Sequence, residues 1–353
     1  LPGMAEFIDQ LAEHAFQSGA IDLFLAEDQI PRMRVDGDLR IIGEIPIEFE
    51  TISTFWKRCG ADPDTECERD LSYQIPGGQR LRVNLYHTLG NLAAVLRPIE
   101  EIVPSFDELG IPGDILTPWL ERRSGLILVT GPTGSGKSTP LAACLQWINQ
   151  HHRRHIITIE DPVEYLFRNE LSFFSQREIR SDTENFADAL RASLRQSPDV
   201  ILLGEIRDEE SALIALQAAE TGHLVLATLH CSGVNDTIER LVHLFQTTHR
   251  ESALSLLSMH LVGVLSQQLL PRKNGGLFVA LEHLFNEGAT RKWIREQNYG
   301  ELGDHLNRGD SPQNCSFLRY LVAATEQDIV DKAVARSAAP NPQDFDRAVR
   351  GIS

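Results

Sequence analysis

Residues 131–138 read Gly-Pro-Thr-Gly-Ser-Gly-Lys-Ser, a spacing of glycines, a lysine and a hydroxyl that suits the holding of phosphate oxygens. The glycines let successive backbone N–H groups turn inward, the lysine reaches the outer phosphates, and the hydroxyl meets Mg²⁺ at a helix N-terminus. Gly131, Pro132, Thr133, Gly134, Ser135, Gly136, Lys137, Ser138 and Thr139 are therefore the expected cradle, with ATP as its ligand. A second apolar run, residues 200–204, ends in Glu205. Downstream of such a loop an acid in that place orients Mg²⁺ and water, so Ser138 and Glu205 are the expected metal residues.

Chemistry of this kind needs a rigid scaffold. The short apolar runs 125–130, 156–159, 200–203 and 224–228 alternate with longer helical patterns, which predicts a buried parallel sheet wrapped by helices. The first hundred residues read differently: a helix over 4–18, a strand near 21–25, a hairpin over 32–42 turning at Asp36-Gly37, and strands over 70–74, 80–86 and 91–99. They predict a small α+β domain. Pro104, Gly110, Pro112 and Gly113 punctuate a stretch that reads as a connector. The expected organisation is an N-terminal domain over 4–103, a linker over 104–118, an ATPase core over 119–286 and an acidic, helix-rich extension over 287–353.

Composition bounds the rest. With 33 Lys and Arg against 50 Asp and Glu, the net charge of −17 repels a phosphate polyanion and argues against nucleic acid as a partner. Five cysteines with no CxxC pair suggest a reducing, cytoplasmic compartment rather than a disulfide framework or a zinc ribbon. No run reaches the roughly 18 apolar residues that cross a bilayer. The nearest, residues 254–270, carries His260, Gln267 and Gln268 and reads as a helical repeat. Leu1-Pro2-Gly3 ahead of Met4 reads as a cloning remnant rather than a secretory signal.

Four further blocks occur in a fixed order: Ile159-Glu160-Asp161-Pro162-Val163-Glu164, then residues 204–208, then Ala219-Glu220-Thr221-Gly222-His223, then Thr228-Leu229-His230. Together with the glycine-rich loop they resemble the secretion-ATPase superfamily, and within it the type IV pilus retraction ATPases, the PilT-like group, over nearly all of the chain. The resemblance implies a PAS-like α+β domain followed by a RecA-like P-loop core with a helical C-terminal extension. It implies Glu164 as the general base that polarises water, Glu160 and Asp161 as support, and Glu205 on Mg²⁺. His223 and His230 match the family's histidine box, where imidazoles can report ATP from ADP. Arg82 and Arg97 match arginines on two strands of the N-terminal domain, expected to reach a neighbour's γ-phosphate. Residues 289–296, Ala-Thr-Arg-Lys-Trp-Ile-Arg-Glu, look like the C-terminal signature of the retraction group. The four-cysteine insertion and extra N-terminal domain of assembly relatives are not seen in this sequence.

The same resemblance implies a Mg-ATP-hydrolysing homohexamer that powers pilus retraction and twitching motility. It would sit in the cytoplasm, peripheral on the inner membrane, with a platform protein as partner and a related accessory pilus ATPase as a further candidate. The alternatives are an assembly or type II/IV secretion motor of the same superfamily, and a nucleotide-binding regulatory ring subunit with little turnover. Pro140 is the feature favouring the last: where these ATPases usually have threonine, it removes an amide near the start of the phosphate-binding helix. Cys231, where threonine is common, removes no catalytic group.

Overall fold

A computed structural model describes residues 4–351, so the remnant expected at residues 1–3 lies outside the described residues. The chain divides into two compact units. The first comprises the residues up to Ile102 with Asp161–Leu166 and Glu178–Asp182; the second comprises Val103–Glu160, Phe167–Arg177 and the chain from Thr183 onward.

In the first unit, α1 (Met4–Gln17) precedes β1 (Asp22–Ala26), β2 (Arg32–Val35) and β3 (Asp38–Ile41), followed by α2 (Phe49–Arg58), β4 (Glu68–Gln74), β5 (Arg80–Thr88) and β6 (Asn91–Pro98). The strands form one antiparallel sheet in the order β3-β2-β1-β6-β5-β4. The β2–β3 turn is the expected pair, Asp36 at φ 53° and Gly37 at φ 86°, the left-handed values that match a two-residue hairpin to the sheet twist. Along β5 the period of two buries Leu81, Val83 and Leu85 with Ile8, Phe55, Trp56 and Leu96. The same alternation turns Arg80 and Arg82 to the opposite face.

The second unit opens with α3 (Phe106–Leu109) and α4 (Gly113–Leu120), then β7 (Gly125–Thr130), α5 (Ser138–His151), β8 (His155–Glu160), β9 (Phe173–Glu178), α6 (Phe186–Ser193), β10 (Val200–Leu203), α7 (Glu209–Glu220), β11 (Leu224–Leu229), α8 (Val234–His243) and α9 (Arg250–His260). Strands β12 (Leu261–Pro271) and β13 (Leu277–Phe285) come next, and then α10 (Ala289–Arg295), α11 (Tyr299–Arg308), α12 (Phe317–Glu326), α13 (Lys332–Ala338) and α14 (Pro342–Val349). The sheet order is β13-β12-β7-β11-β10-β8-β9. Strands β12, β7, β11, β10 and β8 run parallel, and β13 is antiparallel to β12. Parallel strands share one carboxyl edge, where open α/β sheets bind ligands.

Two expectations need correction. Residues 104–118 are not a connector. Ser105 and Glu108 form a reciprocal cap on α3, and Phe106, Ile111, Ile115 and Leu116 pack into the core that also holds Ile127, Val129 and Leu145. The prolines and glycines there punctuate two short helices whose apolar residues are buried. Residues 254–270 are not one helix either: α9 ends at His260 and the chain continues as β12. Strand pairing with β7 on one side and β13 on the other satisfies the backbone of this run, and that overrides its helical spacing. Among the described residues no helix is long and apolar enough to cross a membrane, and all five cysteines are free thiols.

Candidate functional site

The glycine-rich loop leaves the carboxyl end of β7 and enters α5 at Ser138. Pro132, Thr133, Gly134 and Gly136 form its exposed crest, whereas Ser135 and Lys137 are buried. Gly131 has to be glycine. Its φ is +157°, and a Cβ there would run into the Ser135 side chain and stand 2.6 Å from the Gln267 carbonyl oxygen. Gln267, buried on β12, donates its side-chain amide to the Ser135 carbonyl and so holds the loop from beneath. The sequence shows it only as a polar residue inside the apolar run 254–270, without marking its role at the loop. Ser135 Oγ is buried with no hydrogen-bond partner. An orphaned hydroxyl and a Cβ-free cradle fit an anion with oxygens to spare.

Lys137 Nζ donates to the carbonyls of Gly131 and Pro132, each at 3.0 Å, and lies 3.2 Å from His230 Nδ1. His230 follows β11 at the same carboxyl edge, and its Nε2 is 3.3 Å from Glu205 Oε1. Glu205, just beyond β10, also takes a 2.7 Å bond from Arg207 Nε. Three strand ends thereby bring Lys137, His230 and Glu205 into one chain of contacts. Glu160 closes β8 at this edge and is buried. Thr228, two residues before His230, donates to the Gly204 carbonyl and ties the ends of β11 and β10 together.

His223 does not join this group. It precedes β11, and its carbonyl accepts from the N–H of Gly125 at the start of β7. Its Nδ1 lies 3.1 Å from the Ala218 carbonyl at the end of α7. Six paired residues separate it from His230, a rise of roughly 20 Å at about 3.3 Å per residue. The expected nucleotide-binding role of His223 is therefore not supported within this chain: the two histidines matched to the histidine box stand at opposite ends of one strand.

The first unit carries the other expected residues. Arg82 on β5 and Arg97 on β6 are direct register partners, two cations on one face of the sheet. Each has its own carboxylate. Arg97 binds the buried Asp22 through Nε and Nη2, both at 2.8 Å. Arg82 Nη1 is 3.8 Å from Glu164 Oε1. Expected to reach a neighbour's γ-phosphate, Arg82 is engaged here by Glu164 of its own chain. Asp161 and Glu164 lie in the segment Asp161–Leu166, which packs with this unit.

As for Mg²⁺, no group of three or more His, Cys, Asp or Glu side chains among the described residues could hold a metal ion on its own. Mg²⁺ in phosphate chemistry keeps water and substrate oxygens and takes one or two ligands from protein. The donors available, the Ser138 hydroxyl at the start of α5 and the Glu205 carboxylate, are hard oxygens that fit it.

Residues 3–276 match the family of type II/IV secretion system proteins. The chain belongs to that family. It is 37% identical over 343 residues to the Pseudomonas aeruginosa protein named type IV pilus retractation ATPase PilT, covering 96% of this chain and 99% of that one. It is 38% identical over 319 residues to a twitching motility protein of Neisseria gonorrhoeae, covering 89% and 85%. Its fold is similar to that of a crystal structure of the pilus retraction motor PilT with bound ADP, with a TM-score of 0.88, 37% identity, and coverage of 96% of this chain and 99% of that one.

Proposed function

We propose that this chain is a Mg-ATP-hydrolysing motor of the type IV pilus retraction class, a homohexamer that works on an inner-membrane pilus platform protein from the cytoplasmic side. In this reading the first unit is a PAS-like domain, and the second is a RecA-like core extended by helices α10 to α14. The observation that carries the proposal is the contact chain from Lys137 through His230 to Glu205 at the mouth of the glycine-rich loop. A relative similar over 96% of the chain and named for retraction supports the direction of work.

Lys137 exchanges the Gly131 and Pro132 carbonyls for the β and γ oxygens of ATP, while the N–H groups of the loop face the phosphates. The Ser138 hydroxyl and Glu205 would hold Mg²⁺, which when bound would supply positive charge to the phosphoryl oxygens. His230 follows the change at Lys137 and passes it to Glu205. Glu164 accepts the proton of the attacking water, and the guanidinium of Arg82 or Arg97 offsets charge that develops on the transferred group.

The test is Mg²⁺-dependent phosphate release by the full chain beside Glu164→Gln. The variant is expected to bind ATP as the native chain does, within about threefold, and to lose about 100-fold or more in turnover. Retained hydrolysis removes Glu164 as the base, and absence of turnover in the native ring removes the motor.

A further inference from the structure

One buried carboxylate in the first unit has no part in the hydrolysis chemistry. Glu178, at the end of β9, is 1% exposed. Its Oε1 accepts from the backbone N–H of Ser72 at 2.9 Å and from Ser181 Oγ at 3.2 Å. Its Oε2 accepts from the backbone N–H of Val163 at 3.2 Å. Its own backbone is locked by Asp182, whose carboxylate takes the Glu178 N–H at 2.8 Å and whose N–H returns to the Glu178 carbonyl at 2.9 Å. A carboxylate withdrawn from water persists only when hydrogen bonds replace the water, and here two of those bonds come from main chain.

The positions of those two donors matter. Ser72 is the register partner of Arg82 across β4 and β5. β4 is the outer strand of its sheet, so Ser72 turns its N–H away from β5 and toward Glu178. Val163 immediately precedes Glu164. One rigid carboxylate therefore grips the main chain behind each member of the Arg82–Glu164 pair. We propose that Glu178 is a positioning residue that fixes the main chain carrying Glu164, the general base, against the sheet that carries Arg82. This rests on the proposed role of Glu164. Displacements of about 1 Å at a reacting group can lower a rate by about 100-fold, and a carboxylate tied at both ends to backbone prevents them.

Two variants cut the same tie from opposite sides. Glu178→Gln keeps the shape but turns an N–H against a backbone donor. Ser72→Pro deletes one donor, a change an edge strand accepts where its N–H points outward. Each is expected to lower kcat by about tenfold while ADP affinity and KM for ATP stay within about twofold, because the loop that binds phosphate belongs to the other unit. The double variant is expected to be no slower than the slower single one, since the tie can be lost only once. Ser181→Ala, which removes a hydrogen bond to the same carboxylate but neither backbone donor, keeps native turnover. A native kcat in Glu178→Gln, a matching loss of ADP affinity, or effects that multiply in the double variant would each overturn the inference. Should Glu178→Gln fail to fold, a native kcat in Ser72→Pro overturns it alone. Full activity in Glu164→Gln removes the base assignment and this inference together, whereas an inactive Glu164→Gln with multiplying effects removes this inference only.

Discussion

The ammonium group of Lys137 has only protons to offer, and this fixes the protons around it. Because Lys137 Nζ stands 3.2 Å from His230 Nδ1, that nitrogen accepts. The ring proton then sits on Nε2, which donates toward Glu205 at 3.3 Å. His230 in this arrangement is a bridge of defined tautomer between the lysine proposed to reach phosphate and the acid proposed to serve Mg²⁺. Removing it as His230→Ala deletes hydrogen bonds to two charged partners, each worth about 1.5 kcal/mol; loss of one of them from the transition state corresponds to about a tenfold loss in kcat. His230→Gln still offers an N–H to Glu205 and is expected to fall between the two. Steady-state phosphate release across a Mg²⁺ titration reads the effect, and native turnover in the alanine variant would make the imidazole a bystander.

At the scale of elements, helix α5 decides what Pro140 does. The helix begins at Ser138, so Pro140 is its third residue, flanked by the N–H of Thr139, which bonds to the Gly136 carbonyl at 3.2 Å, and that of Leu141, which bonds to the Lys137 carbonyl at 3.4 Å. The amide that proline lacks belongs to the first turn, where an N–H has no partner within the helix. The carbonyl its ring would crowd lies before the helix starts. Pro140→Thr is therefore expected to change unfolding free energy by less than about 1 kcal/mol and to leave ATP affinity within about threefold of native, as read by urea melts and nucleotide titration. A tenfold gain in affinity or turnover would restore the view that this proline throttles the site. Sequence carried the helix, the loop and the strands β7, β8, β10 and β11 because each has a local pattern: glycine spacing, a breaker, or an uninterrupted apolar run. It did not carry β12, whose extended form comes from pairing on both sides, nor α3 and α4, whose breakers read as a connector. Among site residues, Lys137, Glu205 and His230 were legible from motifs. The separation of His223 from His230 follows from the apolar run 224–228, a strand that lies between them, although the histidine-box resemblance placed both at the nucleotide. The roles of Gln267 and Glu178 were not legible, since each acts on backbone groups that are distant in sequence.

At the scale of the whole chain, stability should follow pH through His283 on β13. This residue is 2% exposed, its Nδ1 lies 2.8 Å from the Gln313 carbonyl, and its main chain bonds reciprocally with Cys315 at 2.9 Å. It thus joins the central sheet of the second unit to the segment that leads into α12. A carbonyl only accepts, so Nδ1 carries the proton of a neutral ring. Burial pushes the imidazole below its ordinary value of 6.5, against the opposing pull of the Gln313 carbonyl and of Asp114. The unfolded chain consequently binds this proton more readily than the folded one. The stabilising effect is complete above the ordinary value and is lost as pH falls through the lowered one. His283→Asn keeps a donor near the Nδ1 position but has no group to protonate. At about pH 7.5 it should be less stable than the native chain because it leaves a cavity. As pH falls to about 5.5, the native chain loses the contribution of the neutral ring and the variant does not, so the gap between their urea midpoints should narrow. A gap that stays constant over that range would mean that the ring takes up its proton equally in the folded and unfolded chain and that the link between β13 and the helical tail is insensitive to acid.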